Sequence, residues 1–554
     1  MTPAPTRSRG PLRVRSLGRV PYREALALQH ALFRRSREDY LLFVEHPHVY
    51  TLGVRARPAH VLVDPASVGA ELVKADRGGD VTYHGPGQVV GYPIISVDLG
   101  PGAIPAYVHG IEDLVIEALG DLGLSEVGRL AGYPGVWVEP DGDVPRKICA
   151  VGVRVSRGRT MHGFALNVNA DLAMFSLIVP CGIPDRPVTS LRAEGVAATQ
   201  QDVIDAIVDR ARTSSVFGGA PGVRMVERQD ASAAQVRHSA MSGSPERPAF
   251  RRLAEAGVDP RRGVEISSRK PPWLRVEAAM GKEYLALRKT MRSLDLVTVC
   301  EEAGCPNIYE CWADGTGTFM INGERCTRAC GFCLVDTRHP LPLDETEPAR
   351  VADAVARMGL THAVVTAVAR DDLADGGAGA FASTIAAIRA CRPGTTVEVL
   401  ISDCKGDESA LRVVFAARPD VLAHNVETVL RLQRAVRPSA SYARSLAVLA
   451  GAKAAGLTTK SGFMLGLGET EQEVEGVLAD LAAVGVDILT IGQYLRPSAA
   501  HLPVARWWSP EEFAAVRSLA MEFGFAHVEA SPLTRSSYHA REGAEAARRV
   551  AAPA

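Results

Sequence analysis

The chain has 554 residues, 47% of them apolar and 23% charged, and 62 Lys and Arg against 63 Asp and Glu give a formal net charge of −1. That length exceeds what one hydrophobic core holds, so two or three folded units are expected, and the lack of a single-sign field disfavours nucleic acid as a partner. No predominantly apolar run of about 20 residues is present, as a membrane-spanning helix needs, and no apolar stretch follows Arg7, Arg9, Arg13 and Arg15, so a cytoplasmic protein without a secretory signal is expected.

Taken in chain order, Tyr22 onward reads as an amphipathic helix, and the apolar segments Tyr40–Glu45, Gln88–Val97, Gly135–Val138 and Ile148–Val155 read as strands between Gly/Pro-rich turns. Val108, Ile111, Val115, Leu119 and Leu122 recur at helical spacing, which predicts a helix over Ile104–Leu122. Residues 1–217 thus form a mixed α/β domain. From 218 to 264 the periodicity fades into Ser, Ala, Gly, Pro and Arg, which reads as a linker, with a poorly patterned helical insertion as the alternative. In residues 265–554 a strand–helix rhythm follows the strand-like "TFMIN": His362–Thr366, Thr396–Ile401, Val421–Asn425, Thr458–Leu465, Asp487–Ile491 and Ala526–Ala530 are strand-like, with amphipathic segments between them. Repeated βα units predict a parallel sheet or barrel, with functional groups at the C-terminal ends of its strands.

Six of the ten cysteines lie between Cys300 and Cys333, a density that suggests metal or redox chemistry in a large chain. Cys326, Cys330 and Cys333 in "CTRACGFC" give Cys-x3-Cys-x2-Cys on a loop. A [4Fe–4S] cluster usually takes four thiolates, so three leave one iron free for another ligand; a zinc site is the alternative, although zinc favours four ligands in paired spacing. The loop closely resembles the radical S-adenosylmethionine superfamily. A second trio, Cys300, Cys305 and Cys311 in "CEEAGCPNIYEC", lies just upstream. With "RKPPWLR" at Arg269–Arg275, "RDDLADGGA" at Arg370–Ala378, "KSGFMLGLGET" at Lys460–Thr470 and "RSSYHA" at Arg535–Ala540, residues 269–541 resemble lipoyl synthase.

That resemblance implies a partial (β/α) barrel and two [4Fe–4S] clusters. Cys326, Cys330 and Cys333 would hold one that binds S-adenosyl-L-methionine; Cys300, Cys305, Cys311 and Ser537 would hold an auxiliary one that donates sulfur to C6 and C8 of a protein-bound octanoyl chain. It also implies an electron donor such as ferredoxin or flavodoxin, and S-adenosylmethionine near Asp375, Gly376 and Gly377. Lys460 and Ser461 are weak candidates for holding substrate or cofactor. Cys391 and Cys404 match no ligand and are assigned no role.

In the first half, Cys181 sits in "IVPCGIP" and Lys147 opens "KICAVGVRV"; an ammonium near a thiol favours the thiolate and can relay protons. With "RGGDVTYHGPGQVVGYPI" at Arg77–Ile94 and "HGFALNVN" at His162–Asn169, residues 12–214 resemble octanoyltransferase, an α/β fold related to biotin and lipoate protein ligases. The resemblance implies that Cys181 attacks the thioester of octanoyl-acyl carrier protein with Lys147 as acid/base partner. A lysine of a lipoyl domain, in 2-oxoacid dehydrogenases or the glycine cleavage H protein, then takes the acyl group. It implies an octanoyl site lined by Arg77, Gly78, Gly79, Asp80, Val81, Thr82, Tyr83 and His84, by Ala150, Val151 and Gly152, and by Gly163, Phe164 and Ala165. Gly85 and Gly87 also suit close backbone approach. His84 and His162 are read as structural. Cys149 is read as core, on the face of Lys147 by strand alternation. Two rival readings stay open: an ATP-dependent lipoate ligase in the first half, and a non-catalytic iron–sulfur or zinc module in the second.

Overall fold

The computed structural model of the chain describes residues 10–182, 186–218, 224–231, 247–275, 289, 307, 310–311 and 316–551. The chain divides into two compact units, Met1–Ala234 and Gln235–Ala554. Among the described residues no helix is long and apolar enough to cross a membrane.

The first unit holds strands β1 (Leu12–Arg19), β2 (Asp39–Glu45), β3 (Val49–Leu52), β4 (Glu71–Lys74), β5 (Val81–His84), β6 (Gln88–Ile94), β7 (Val127–Leu130), β8 (Tyr133–Val138), β9 (Arg146–Ser156), β10 (Arg159–Asn167) and β11 (Val226–Asp230). Eight of them make one sheet in the order β11-β1-β2-β6-β10-β9-β8-β7, and β4-β3-β5 make a second. Helices α1 (Tyr22–Arg35), α2 (Ala103–Asp121) and α3 (Gln200–Ala211) accompany them. The apolar stripe of α2, Ile111, Leu114, Val115 and Leu119, meets Val203 and Ile207 of α3 and sheet residues such as Phe43, Val89 and Phe164 in one core. The amphipathic spacing anticipated in the sequence thus serves to cover one face of the large sheet.

Within residues 218–264, which the sequence predicts to be a linker, Val226–Asp230 form strand β11, while 219–223 and 232–246 lie outside the described residues. The strand runs parallel to β1, with Leu12 opposite Val226 and Ser16 opposite Asp230. Its sequence, VERQD, shows no apolar alternation because its buried positions, Glu227 and Gln229, are polar: Glu227 accepts from Arg13 Nη1 at 3.1 Å and Arg15 Nη1 at 2.7 Å. Arg13 and Arg15, read in the sequence as part of a basic N-terminus, are 2% and 1% exposed. The other end of the supposed linker belongs to the second unit, where helix α4 (Pro248–Glu255) buries Leu253 and Val264 N–H donates to Val504 O at 2.7 Å.

In the second unit β12 (Thr316–Ile321), β13 (His362–Ala367), β14 (Thr396–Leu400), β15 (Val421–Ala423), β16 (Thr459–Leu465), β17 (Ile488–Gln493) and β18 (His527–Ala530) pair in chain order, every pair parallel. Helices fill the crossovers, which is the winding of a partial (β/α) barrel: α5 (Glu347–Arg357), α6 (Ala378–Cys391), α7 (Glu408–Ala416), α8 (Gln433–Val436) with α9 (Tyr442–Ala454), α10 (Glu471–Val484) and α11 (Pro510–Glu522), with α12 (Ala540–Ala551) after β18. The strands are buried almost throughout, which explains runs such as HAVVTA. Thr470 with Glu473, and Ser509 with Glu512, form the capping boxes that start α10 and α11. The cysteine loop follows β12 and the "RDDLADGGA" loop follows β13, so both lie at the C-terminal ends of the strands.

Candidate active sites

In the first unit a cavity is lined by Tyr22, residues 77–80, Thr82, His84, Val90, Tyr92, residues 150–152 and residues 162–165. The three segments anticipated in the sequence converge on it, with two residues excepted. Val81 and Tyr83 project from the opposite face of β5 into a cluster with Tyr50 and Phe175, so Val81 belongs to the core. Tyr83 borders a smaller cavity with Lys147, Phe175, Pro180 and Val188, and Thr82, Ala150 and Ala165 line both cavities. A chain filling the larger space therefore adjoins the space beside Lys147.

Lys147 reaches this position through a β-bulge. Val136 pairs with Cys149 but Trp137 pairs with Lys147, which leaves Ile148 as an extra residue in β9. The bulge corrects the alternation reading: Cys149 packs in the core beside Val151 and Val153, whereas Lys147 borders the smaller cavity with Ala150. Its ammonium lies 4.7 Å from the centre of the Trp137 ring, and Lys147 is 7% exposed. Burial pushes the Cys149 thiol well above its ordinary range, as suits a core residue. The backbone of Cys181 lies in the turn Pro180–Gly182; its side chain is outside the described residues.

His84 and His162 line the larger cavity, and among the described residues the buried Nδ1 atom of each has no hydrogen-bond partner. Burial lowers both imidazoles below their ordinary range, most strongly at His84, although Asp76 Oδ1 at 2.7 Å from His162 Nε2 opposes the shift there. Neutral rings suit an apolar ligand better than charged ones.

In the second unit Cys326, Cys330 and Cys333 share the loop after β12 and are partly buried. Arg328 ties this loop down, meeting Asp371 at 2.8 Å and Asp403 at 2.5 Å. Gly331 N–H donates to Val436 O, and a Cβ there would stand 2.7 Å from Leu502 Cδ1, so a larger residue would have to displace Leu502. His501 Nε2 lies 2.9 Å from the Cys333 carbonyl. Backbone N–H groups of Arg328 and Ala369 point at Cys326 Sγ at 3.4 and 3.3 Å. Burial pushes the Cys330 thiol up to about 12 and raises Cys333, so both would stay protonated without a cation. Among the described residues no three His, Cys, Asp or Glu side chains converge on one ion. A four-iron cube takes each thiolate on a different iron, and three sulfurs on one loop with peptide N–H donors aimed at one of them fit that demand.

Of the upstream trio, Cys300 and Cys305 lie outside the described residues. Cys311 is buried. The neighbourhood of Cys311 is tied to the turn that carries Ser537: Asn307 Nδ2 donates to Leu533 O at 2.8 Å, and Tyr538 OH donates to Glu310 at 3.1 Å. Asp375 accepts from Gly377 and Gly379 N–H at 2.9 and 2.8 Å at the start of α6. Gly376 and Gly377 have positive φ, and a Cβ on them would meet Cys404 and Asn322. Lys460 is not free for substrate, since its ammonium is buried against Glu398 at 2.8 Å. Cys404 is buried and Cys391 exposed. The arginine clamp and the His501 contact escaped the sequence reading, because a lone Arg or His carries no spacing signal.

The lipoyl synthase of Rubrobacter xylanophilus is 58% identical to this chain over 284 residues, covering 51% of this chain and 88% of that protein. The chain belongs to the lipoyl synthase family. A lipoyl synthase of Mycobacterium avium is 57% identical over 272 residues, 49% of this chain and 89% of that one. The lipoyl synthase N-terminal domain model matches residues 245–305 and the radical SAM superfamily model residues 320–481. Ahead of this lipoyl synthase half, the lipoyl protein ligase A/B catalytic domain matches residues 21–212. A bipartite lipoate protein ligase of Thermoplasma acidophilum is 20% identical, with a TM-score of 0.34 over 40% of this chain and 87% of that one. The lipoyl synthase is thus joined in one chain to a ligase- or transferase-type domain, which makes the protein a bifunctional one of lipoyl biosynthesis that uses S-adenosylmethionine and [4Fe–4S] chemistry.

Proposed function

We propose that the first unit transfers an octanoyl group from octanoyl-acyl carrier protein to a lysine of a lipoyl domain, and that the second unit inserts sulfur at C6 and C8 of that chain. The observation that carries the first step is the adjacency of two cavities, one lined by residues 77–80, 150–152 and 163–165 and one beside Lys147 and Pro180, which share Thr82, Ala150 and Ala165. The Cys181 thiolate attacks the donor carbonyl, the carrier thiolate leaves and takes a proton, and Cys181 holds the acyl group as a thioester. The neutral lysine of the lipoyl domain then attacks, an amide forms, and the Cys181 thiolate is released. Lys147 moves the protons in both halves. An adenylating ligase needs no nucleophilic cysteine; complete loss of transfer in Cys181→Ala, with no ATP requirement in the parent protein, is the expected outcome.

In the second half Cys326, Cys330 and Cys333 would hold the cluster that binds S-adenosylmethionine, near the loop of Asp375, Gly376 and Gly377. Cys300, Cys305, Cys311 and Ser537 would hold the auxiliary cluster. When bound, and supplied with electrons by a ferredoxin or flavodoxin, these groups provide radical hydrogen abstraction and the inserted sulfur. The chain's own part is to fix the cysteine loop through Arg328 and His501. The test is to weigh an apo lipoyl domain after anaerobic incubation with octanoyl-acyl carrier protein, S-adenosylmethionine and reductant. Octanoylation without sulfur gain would reject the second step alone.

A further inference from the structure

The loop formed by residues 53–60 runs along residues 77–80: Val54 N–H donates to Arg77 O, Arg55 N–H to Gly79 O and Gly53 N–H to Asp80 O. It delivers His60 to two places at once. The His60 carbonyl accepts from Val179 N–H at 2.8 Å, and Val61 bridges to Ile178, so the backbone of His60 holds the segment leading into the Pro180–Gly182 turn. Its ring Nδ1 lies 2.7 Å from Asp80 Oδ2. The other oxygen of Asp80 accepts from Val81 N–H at 2.7 Å and Arg57 N–H at 3.3 Å, which fixes the carboxylate. Both side chains are mostly buried, at 21% and 12% exposure.

Gly182 rests on this pair. It has φ +72, and a Cβ on it would stand 3.0 Å from Asp80 Oδ2 and 3.6 Å from His60 Cε1. Its N–H closes the turn onto Val179 O at 3.1 Å, the same residue whose N–H the His60 carbonyl receives. Asp80 also lines the acyl cavity. The peptide bearing Cys181 is therefore held from the Val179 side by a backbone bond, and on the Gly182 side it has the Asp80–His60 pair so close that a Cβ would crowd Asp80 Oδ2.

We propose that His60, oriented by Asp80, is a positioning residue that sets where the 180–182 turn stands relative to the acyl cavity and Lys147. The inference rests on the reading of Cys181 as nucleophile. Displacing a nucleophile by about 1 Å costs on the order of 100-fold in rate. His60→Ala is expected to lower kcat for octanoyl transfer at least 10-fold, with KM for octanoyl-acyl carrier protein changed less than 2-fold. His60→Asn keeps an N–H donor near the place of Nδ1 and is expected to recover kcat to within about 3-fold of the parent. All variants are made in the full chain, and the lipoyl synthase activity of the same chain, assayed on a pre-octanoylated lipoyl domain, reports that the protein is intact. An unchanged kcat in His60→Ala while Cys181→Ala is inactive overturns the positioning role alone. Equal losses in His60→Ala and His60→Asn overturn it as well. Full transfer by Cys181→Ala overturns the nucleophile reading and takes this inference with it.

Discussion

Replacing Gly135 by alanine tests whether the bulge in β9 puts Lys147 at the proposed acyl site. Gly135 sits at φ +122, and a Cβ there would stand 2.5 Å from the Cys149 carbonyl oxygen and 3.5 Å from Lys147 Cε. A non-glycine residue in such backbone costs about 1–3 kcal/mol. The clashing oxygen belongs to the strand pair that holds the bulge, so it cannot shift without disturbing Val136 opposite Cys149. Gly135 N–H is fixed as well, donating to the buried Glu112 Oε1 at 2.7 Å. About 3 kcal/mol of strain has two outlets. If the strand holds, the first unit loses that much stability; if the bulge relaxes, β9 returns to plain alternation and Lys147 leaves the cavity. At 1.36 kcal/mol per factor of ten, the second outlet corresponds to about a 100-fold fall in kcat. Octanoyl transfer at saturating donor, urea unfolding of the first unit and lipoyl synthase activity of the same chain separate the cases. Transfer within 2-fold of the parent with an unmoved unfolding midpoint would refute the bulge argument.

Three other outcomes are expected. Glu398→Ala leaves the Lys460 ammonium buried and unpaired beside His362, and the second unit is expected to lose about 3–5 kcal/mol in urea unfolding; adding Lys460→Met is expected to return most of it. Burial lowers His46 and His424 from 6.5 to about 4, so the unfolded chain takes up protons first as pH falls; each unit is expected to lose on the order of 3 kcal/mol between pH 6.5 and about 4, measured as unfolding midpoint against pH. An unchanged pH slope in His424→Gln would count against the second assignment. Anaerobically prepared protein is expected to carry about eight irons per chain, falling to about four in either Cys305→Ala or Cys330→Ala, as read by iron assay and Mössbauer spectra.

The sequence reveals elements where burial is apolar and hides them where it is polar. The strands of the second unit lie within two residues of their expected ends because runs such as "HAVVTA" are buried on both faces. Strand β11 was invisible because VERQD owes its place to Glu227 between Arg13 and Arg15, a pairing more than 200 residues apart in sequence. The segments that line the larger cavity coincide with the motif blocks, yet Val81 points away from that cavity and Lys147 does not follow the alternation of its strand, because only pairing with β8 creates the bulge. His60 lay outside every motif; its signal is the contact with Asp80 and Gly182, which only the fold makes.

The two halves make opposite demands on one eight-carbon chain. The proposed first site encloses the tail among residues 77–80, 150–152 and 163–165 and leaves the carbonyl near Lys147, so C6 and C8 are withdrawn from any other reagent while the chain is held there. Sulfur insertion needs those two carbons bare. The octanoyl-lysine must therefore leave the first cavity before the second half can act, and joining the units raises the chance of recapture but cannot remove the release step. A mixture of Cys181→Ala chains, which keep the second activity, and Cys326→Ala chains, which keep the first, is expected to lipoylate an apo domain to the same final extent as the parent protein, at a slower initial rate. Formation of octanoyl domain but no lipoyl domain by that mixture would mean that the chain passes between the halves without release, and that enclosure in the first cavity is not what separates the two steps.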